Sequence, residues 1–142
     1  MSPSPSPGWE YYTRGNYATL PTTDNDLETN FIAQDYIDVN DANDVRVNQQ
    51  ALGEYAIFQF KDYVGSTSSF NVIWEGQSNI PTSTSKVVLQ IYDHDGNTWE
   101  DLDEENGVGA NTDFQLTATV NSDLDHRVLN GVVSCRVYQL AM

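Results

Sequence analysis

The chain has 142 residues, of which 21 are acidic and 6 are basic, so its formal net charge is -15. Hydrophobic residues make up 39% of it and aromatic residues 11%, which suits one folded domain with its own core. Nucleic-acid binding needs clustered lysine and arginine, and an anionic membrane would repel this surface, so we expect neither as a partner. No run of residues is apolar and long enough for membrane insertion.

The first eight residues are a Ser-Pro repeat. Proline fixes φ and cannot join a helix interior, so we expect this piece to be extended. It has neither the basic start nor the apolar stretch of a secretory signal peptide. We therefore expect assembly in a cytoplasm, as for virion parts, or an export signal that was removed or lies outside this sequence.

Residues 9–34 hold short aromatic and β-branched pieces that are separated by Gly15, Pro21 and polar residues. They predict one or two short strands. Because the segment is rich in aromatic surface, we expect it to pack on a folded body, either its own or a neighbour's. The sequence thus divides into an extended N-terminal arm, residues 1–34, and a β-sandwich domain, residues 35–142. The arm residues expected to make contacts are Trp9, Tyr11, Tyr12, Tyr17, Leu20 and Phe31.

Beyond the arm, apolar residues recur at every second position in a series of short runs. These runs are residues 45–47, 55–60, 70–74, 87–92, 97–101, 114–120 and 132–138. Period-two alternation indicates half-buried strands, and the turn residues between the runs favour an antiparallel arrangement. The sequence therefore predicts an all-β sandwich of about eight strands. The best candidate for a helical turn is at residues 123–129.

One hairpin is well specified between Tyr92 and Trp99. The Asp95-Gly96 pair supplies the positive φ that tight turns need. We expect Trp99 to pack near Tyr92 across the strand pair. Asp93 and its polar neighbours resemble a calcium loop only superficially, because a hairpin turn requires the same residue types.

Several of these segments together resemble jelly-roll domains of the galactose-binding-like class, found in bacterial surface proteins and phage structural proteins. The segments are Val87–Tyr92, Gly96–Glu100, Asp113–Leu116 and Val133–Gln139. The resemblance covers roughly residues 40–140. It implies an eight-stranded jelly roll, often with a structural calcium, whose members bind sugars at loops or serve as packing units. The arm lies outside this resemblance.

A second acidic pattern has an aspartate at every third position. The residues are Asp35, Asp38, Asp41 and Asp44. Oxygen ligands on a loop are what Ca²⁺ prefers, so a structural calcium is one interpretation. The other is an Asx-rich loop that caps its own backbone.

Catalytic constellations are not evident in the sequence. The single cysteine, Cys135, lies on the inner face of the last predicted strand, where an inert thiol is expected. His94 and His126 lack zinc-ligand spacing. Glu54 and Glu75 are the least improbable catalytic carboxylates, but neither lies in an apolar setting that would raise its pKa. We therefore expect no enzyme activity and no cofactor apart from the calcium considered above.

We interpret the chain as a structural subunit that self-assembles into an extracellular filament or a virion component, at the virion surface or in a fibre. The arm would pack on a neighbouring copy, so deleting residues 1–34 should leave a folded monomer. The alternative is a carbohydrate-binding or adhesion module with a glycan as partner, in which loop aromatics stack on sugar rings.

Overall fold

The structure, a computed structural model, describes residues 10–40 and 53–140. Two helices and nine strands lie within these ranges, and every strand pair is antiparallel. The elements in chain order are β1 (Glu10–Tyr17), β2 (Thr29–Asn30), α1 (Ala33–Asn40), β3 (Tyr55–Tyr63), β4 (Phe70–Gly76), β5 (Val87–Asp93), β6 (Thr98–Glu105), β7 (Phe114–Val120), α2 (Leu124–Arg127), β8 (Val128–Leu129) and β9 (Val132–Leu140).

The strands form two sheets that pack as a sandwich of unequal layers. The large sheet has seven strands in the order β2-β1-β3-β9-β5-β6, with β8 also paired to β9. The small sheet contains β4 and β7 alone. The prediction of an all-β antiparallel sandwich is therefore confirmed, although the sequence did not indicate how unequal the two layers are.

The core lies between the small sheet and one face of the large sheet. Alternate residues of β5 and β9 point into it, as the period-two pattern predicts. Its buried residues are Val87, Leu89, Ile91, Phe114, Leu116, Val120, Val133, Cys135 and Val137. Cys135 is only 5% exposed, and burial raises the pKa of its thiol well above the usual range. The thiol is thus in the inert setting expected of it.

The opposite face of the large sheet, here called the outer face, is also buried in part. Gln59 and Ser134 are each 1% exposed there, and Arg136 is 3% exposed. The cover is the segment between β1 and β2, residues 18–28, which we call the strap. It crosses from the β1 edge over β3 and β9 and returns to β1 through β2.

The described part of the arm consequently belongs to the sandwich of its own chain. All eight residues of β1 pair with β3, from Glu10 opposite Asp62 to Tyr17 opposite Tyr55. This corrects the expectation that the arm leaves its own body to be buried on a neighbour. The aromatic rings of β1 already have partners within the chain, so the reason for expecting exchange no longer holds.

Gly15, which the sequence suggested would interrupt the arm, lies inside β1 instead. A Cβ built on it would stand 2.8 Å from Glu28 Cγ and 2.9 Å from Tyr17 Cε2. The missing side chain therefore lets the returning end of the strap approach the strand. There the Glu28 amide donates to the Tyr17 hydroxyl at 2.9 Å.

Four local predictions have different outcomes. The helical turn appears as α2, and Tyr92 does pair with Trp99, with ring centroids 5.1 Å apart. In the hairpin the positive φ belongs to Asn97, at 51°, and not to Gly96. The predicted strand at residues 45–47 lies outside the described residues.

No helix within the described ranges has the length and apolar character needed to cross a membrane.

Candidate functional site

Three side-chain donors on the outer face hold the strap by its backbone carbonyls, and we call Gln59, Trp99 and Arg136 the donor row. Arg136 Nη1 donates to the Pro21 carbonyl at 2.7 Å, and Trp99 Nε1 donates to that of Thr23 at 3.3 Å. Gln59 Nε2 donates to two successive carbonyls, those of Asp24 and Asn25, at 3.0 Å each. The row lies across strands β3, β9 and β6, so it binds the middle of the strap, residues 21–25.

Further contacts fix the second half of the strap. Ser134 Oγ donates to the Asp24 carboxylate at 2.7 Å, and the Leu27 amide donates to Thr13 Oγ1 at 3.0 Å. Lys61 Nζ lies 3.1 Å from Asp26 Oδ1. Leu27 itself is 6% exposed. The strap is therefore an integral layer of the domain.

Arg136 is the centre of this polar layer. Its Nε donates to Gln90 Oε1 at 2.8 Å, and Gln90 Nε2 donates in turn to Asp101 Oδ1 at 2.7 Å. The guanidinium carbon lies 4.3 Å from the centroid of the Trp99 ring. Burial lowers the pKa of Arg136 to about 10, against the opposing influence of Tyr138 and Asp101. The side chain still carries its charge at neutral pH, although no carboxylate bonds to it directly among the contacts described.

An aromatic cluster covers the other face of the large sheet, beside β1. The Tyr12 ring lies edge-on to Phe60 and Phe31, with centroids 4.9 and 5.6 Å away. The ring of Tyr36, from α1, lies 5.2 Å from that of Tyr12, centroid to centroid. The Tyr36 hydroxyl also accepts a hydrogen bond from the Tyr12 amide at 2.9 Å. The cluster fastens α1 and Phe31, the residue after β2, onto β1 and β3.

Two carboxylates meet at the hydroxyl group of Tyr12. Its oxygen lies 2.9 Å from Glu10 Oε2 and 2.7 Å from Asp62 Oδ1. A phenol has one proton to donate, so the second short contact needs a proton on a carboxyl group. Burial raises the pKa of Asp62 to about 6; the Tyr12 hydrogen bond opposes this rise and the charge of Glu10 adds to it. Asp62 is therefore the carboxyl group that takes up a proton as the pH falls through about 6.

This geometry predicts a pH-dependent contribution to stability. The folded-state pKa of Asp62 lies above its usual 3.8, so folding takes up a proton between the two values. The stabilisation is complete below about pH 4 and is lost as the pH rises through about 6. Relative to the wild type, Asp62→Asn should gain about 2 kcal/mol of unfolding free energy between about pH 4 and pH 7. Urea unfolding across this range measures the difference.

The other groups facing Asp62 are Glu10, Tyr12, Tyr36 and Cys135. Both tyrosines and the cysteine have raised pKa values, so none of them changes charge in this window. Asp95→Asn, at the exposed hairpin tip, is the control. A constant difference between Asp62→Asn and the wild type at every pH would contradict the prediction.

The four aspartates considered for calcium are not assembled into a site by the described residues. Asp35 lies in the first turn of α1, where its Oδ2 accepts a hydrogen bond from the Ile32 amide at 3.0 Å. Asp38 lies further along the same helix, and its side chain is not described. Asp41 and Asp44 lie outside the described residues. The loop expected here is a helix as far as Asn40, and within the described ranges no three metal-binding side chains cluster.

In the hairpin turn after β5, the Asp93 carboxylate binds backbone amides of the same turn. Asp93 Oδ1 accepts hydrogen bonds from the amides of Asp95 and Gly96 at 2.8 and 3.0 Å. These bonds, with that of Gly96 the stronger influence, lower the pKa of Asp93. The preferred interpretation of this segment as a hairpin turn fits these contacts.

The described arm residues singled out in the sequence are distributed over both faces of β1, the strap and the position after β2. Tyr12 and Phe31 meet in the aromatic cluster, whereas Tyr17 contacts the strap and Tyr11 and Leu20 are half-buried. Trp9 lies outside the described residues. Sequence reasoning missed the donor row, because alternation assigned Gln59 and Arg136 to a solvated face and Trp99 was expected only to pack near Tyr92. Ile57, Val88 and Tyr92 are the buried apolar residues of the outer face, and they are the signal in the sequence by which a cover could have been found.

Comparisons with known proteins give one match. No curated protein and no solved structure matches the chain, so the resemblance to galactose-binding-like jelly rolls stays a prediction. A family model, AF_1625_C, described as "Uncharacterized protein, C-terminal domain", matches residues 8–141. The match runs through β1, the strap and both sheets together. The chain therefore belongs to the AF_1625_C family.

Proposed function

We propose that the chain is a non-enzymatic structural domain, the self-assembling subunit of an extracellular filament or of a virion component. The observation that carries this proposal is that the donor row binds a segment of its own chain. The outer face of the large sheet has a buried arginine, a tryptophan and a glutamine arranged to bind polar groups. All three bind the carbonyls of the chain's own strap.

Ligand-binding and catalytic sites usually present a few convergent polar groups in an open concave pocket. In this domain the convergent groups are covered, and they contribute to holding two layers together. The paired carboxylates do not favour hydrolysis either. The Tyr12 hydroxyl contacts both Glu10 and Asp62, so a side chain fills the place between them where a substrate would have to enter.

The carbohydrate-binding alternative has no observation of its own in its favour. Sugar recognition by stacking needs an aromatic ring that is open to solvent. The exposed large hydrophobic residues of the described chain are Ile32, Ile73, Leu129 and Leu140, and none of them is aromatic. A structural role remains the better proposal, and the acidic surface would keep free subunits soluble before they assemble.

The oligomeric state of the full chain tests this proposal. Analytical ultracentrifugation from micromolar to millimolar concentration, with negative-stain electron microscopy of the concentrated sample, should reveal association that increases with concentration. A monomer over the whole range would overturn the self-assembling function. Signal on a glycan array from such a monomer would establish the alternative in its place.

A further inference from the structure

The small sheet has one edge that the described chain leaves open. Strand β4 pairs with β7 from Phe70 opposite Val120 to Gly76 opposite Phe114. On its other side β4 has no strand partner within the described ranges. A two-stranded sheet is marginal alone, and an unpaired edge is a template for another strand.

The hydrogen-bonding groups at this edge can be assigned from the opposite strand. The Thr117 amide in β7 donates away from β4, to Asp103 Oδ2 at 2.9 Å. Thr117 stands opposite Ile73, so the two form a non-hydrogen-bonded pair of the antiparallel ladder. The amide and carbonyl of Ile73 therefore also point away from the ladder, towards the open edge. The same holds for Asn71 and Glu75, two residues to either side.

The other sheet edges are protected in ways that β4 is not. Asp103 from β6 covers the outer edge of β7 at Thr117. Strand β6 carries five acidic side chains in its sequence TWEDLDEE, and its pairing with β5 contains a register shift. Strand β2 is only two residues long. These are common defences against edge pairing, whereas β4 has one charge, Glu75, and neither a proline nor a register shift.

The apolar residues of the small sheet are also less covered on this side. Phe114, Leu116 and Val120 of β7 are buried, but Phe70, Val72 and Trp74 of β4 are only half-buried. Ile73, on the outward face of β4, is 65% exposed. A partner strand at this edge would therefore cover apolar surface on both faces of the small sheet.

We propose that two copies of the chain associate by antiparallel pairing of their β4 edges, centred on Ile73. The two small sheets then become one four-stranded sheet, β7-β4-β4-β7. This inference rests on the proposed self-assembly and names one surface that takes part in it, a two-fold contact that closes as a dimer.

The sequence of β4 suits a second copy of itself. Ile73 is the midpoint of Phe70–Gly76, so a two-fold axis there places Ile73 against the partner's Ile73. Asn71 then stands opposite the partner's Glu75, an amide against a carboxylate. The only charged side chain of the strand is thus kept away from its own copy, and like charges directly opposite each other would be unfavourable.

Cysteine cross-linking tests both the interface and its register. Directly opposite residues have Cα atoms about 5.5 Å apart, within disulfide range, so Ile73→Cys should oxidise to a covalent dimer. Asn71→Cys, on the same strand and face, places its two copies about 13 Å apart and should not cross-link. The double variant Asn71→Cys, Glu75→Cys should cross-link again. The native Cys135 is buried and contributes no background.

A charge substitution supplies the non-covalent test by sedimentation. Ile73→Lys should weaken dimerisation about tenfold or more, because it opposes two lysines at the centre of the pairing. Leu129→Lys, an exposed residue on β8, is the control and should leave dimerisation unchanged. Added salt should strengthen the wild-type dimer, because the protomers repel each other with a net charge of -15.

The outcomes separate this inference from the proposed function. Loss of the dimer in Ile73→Lys but not in Leu129→Lys, together with the cross-linking pattern above, supports pairing at β4. Association that survives Ile73→Lys overturns the β4 interface and leaves self-assembly standing. A wild-type chain that stays monomeric overturns both.

Discussion

Deletion of residues 1–31 is expected to prevent folding of the domain. Strand β1 pairs along its whole length with β3, and the strap covers the outer face over β3 and β9. The deletion would expose Ile57, Gln59 and Arg136, all 3% exposed or less, and would strip the partners from the donor row. The free energy lost with a strand and a whole layer should exceed the roughly 5–15 kcal/mol by which such domains are stable.

Circular dichroism and urea unfolding of the truncated chain measure this effect. Deletion of residues 1–7 is the control, since it removes the Ser-Pro repeat and leaves β1 and the strap in place. A truncated chain that lacks residues 1–31 and still unfolds cooperatively would contradict the assignment of the arm to the sandwich. The expectation drawn from sequence was the opposite, a folded monomer after removal of the arm.

Replacement of Arg136 has the second-largest expected effect. Buried ionic groups are not always stabilising, because a well-packed apolar side chain avoids the desolvation cost. Here Arg136→Met would leave the Pro21 carbonyl and Gln90 Oε1 without their donor in a buried layer. Each unsatisfied group costs about 1–3 kcal/mol, so we expect a net loss of about 2–4 kcal/mol.

Urea unfolding with an unchanged m-value measures this loss. Arg127→Met is the matched control, because Arg127 pairs with Glu100 at 3.2 Å where Glu100 is 38% exposed, and it should lose about 1 kcal/mol or less. Equal losses in the two variants would mean that the donor row does not hold the strap. Proteolytic cleavage within the strap that is faster in Arg136→Met than in the wild type would show that the strap is the part that loosens.

The strands of the sandwich were predictable because their signal is local. Residues 55–60, 70–74, 87–92 and 114–120 alternate in the sequence and are strands in the structure. Period-two alternation needs only one buried face, and in these strands it agrees with the turn residues around them. The pairing of Tyr92 with Trp99 was predictable for the same reason, since a short hairpin fixes its register.

Helix α1 was not predictable from periodicity. Ala33, Tyr36 and Ile37 stand at helical spacing in its sequence AQDYIDVN, but eight residues are too short a run to separate a helix from a loop. What starts the helix is a hydrogen bond from the Ile32 amide to Asp35, and what holds it is the contact of Tyr36 with Tyr12. The first is a short-range pattern easily mistaken for an Asx-rich loop, and the second joins residues far apart in the chain.

The candidate site was the least predictable part. Ser134 and Arg136 alternate with core residues, and alternation alone assigns such polar positions to solvent. Their burial depends on a strap more than one hundred residues earlier in the sequence, as the Ser134–Asp24 contact shows. Leu20 and Leu27 are the large apolar residues of the strap, and two such residues alone make neither a strand nor a helix pattern, so no sequence rule for core packing reveals it.

The way in which the strap is bound determines how freely its sequence can change. The donor row contacts carbonyl oxygens, which every amino acid supplies, and the side chains of Thr22, Thr23 and Asn25 are exposed. These positions should accept almost any residue that permits the same backbone path. The strap is therefore a natural place to graft a short peptide epitope or a fluorophore attachment site without disturbing the sandwich beneath it.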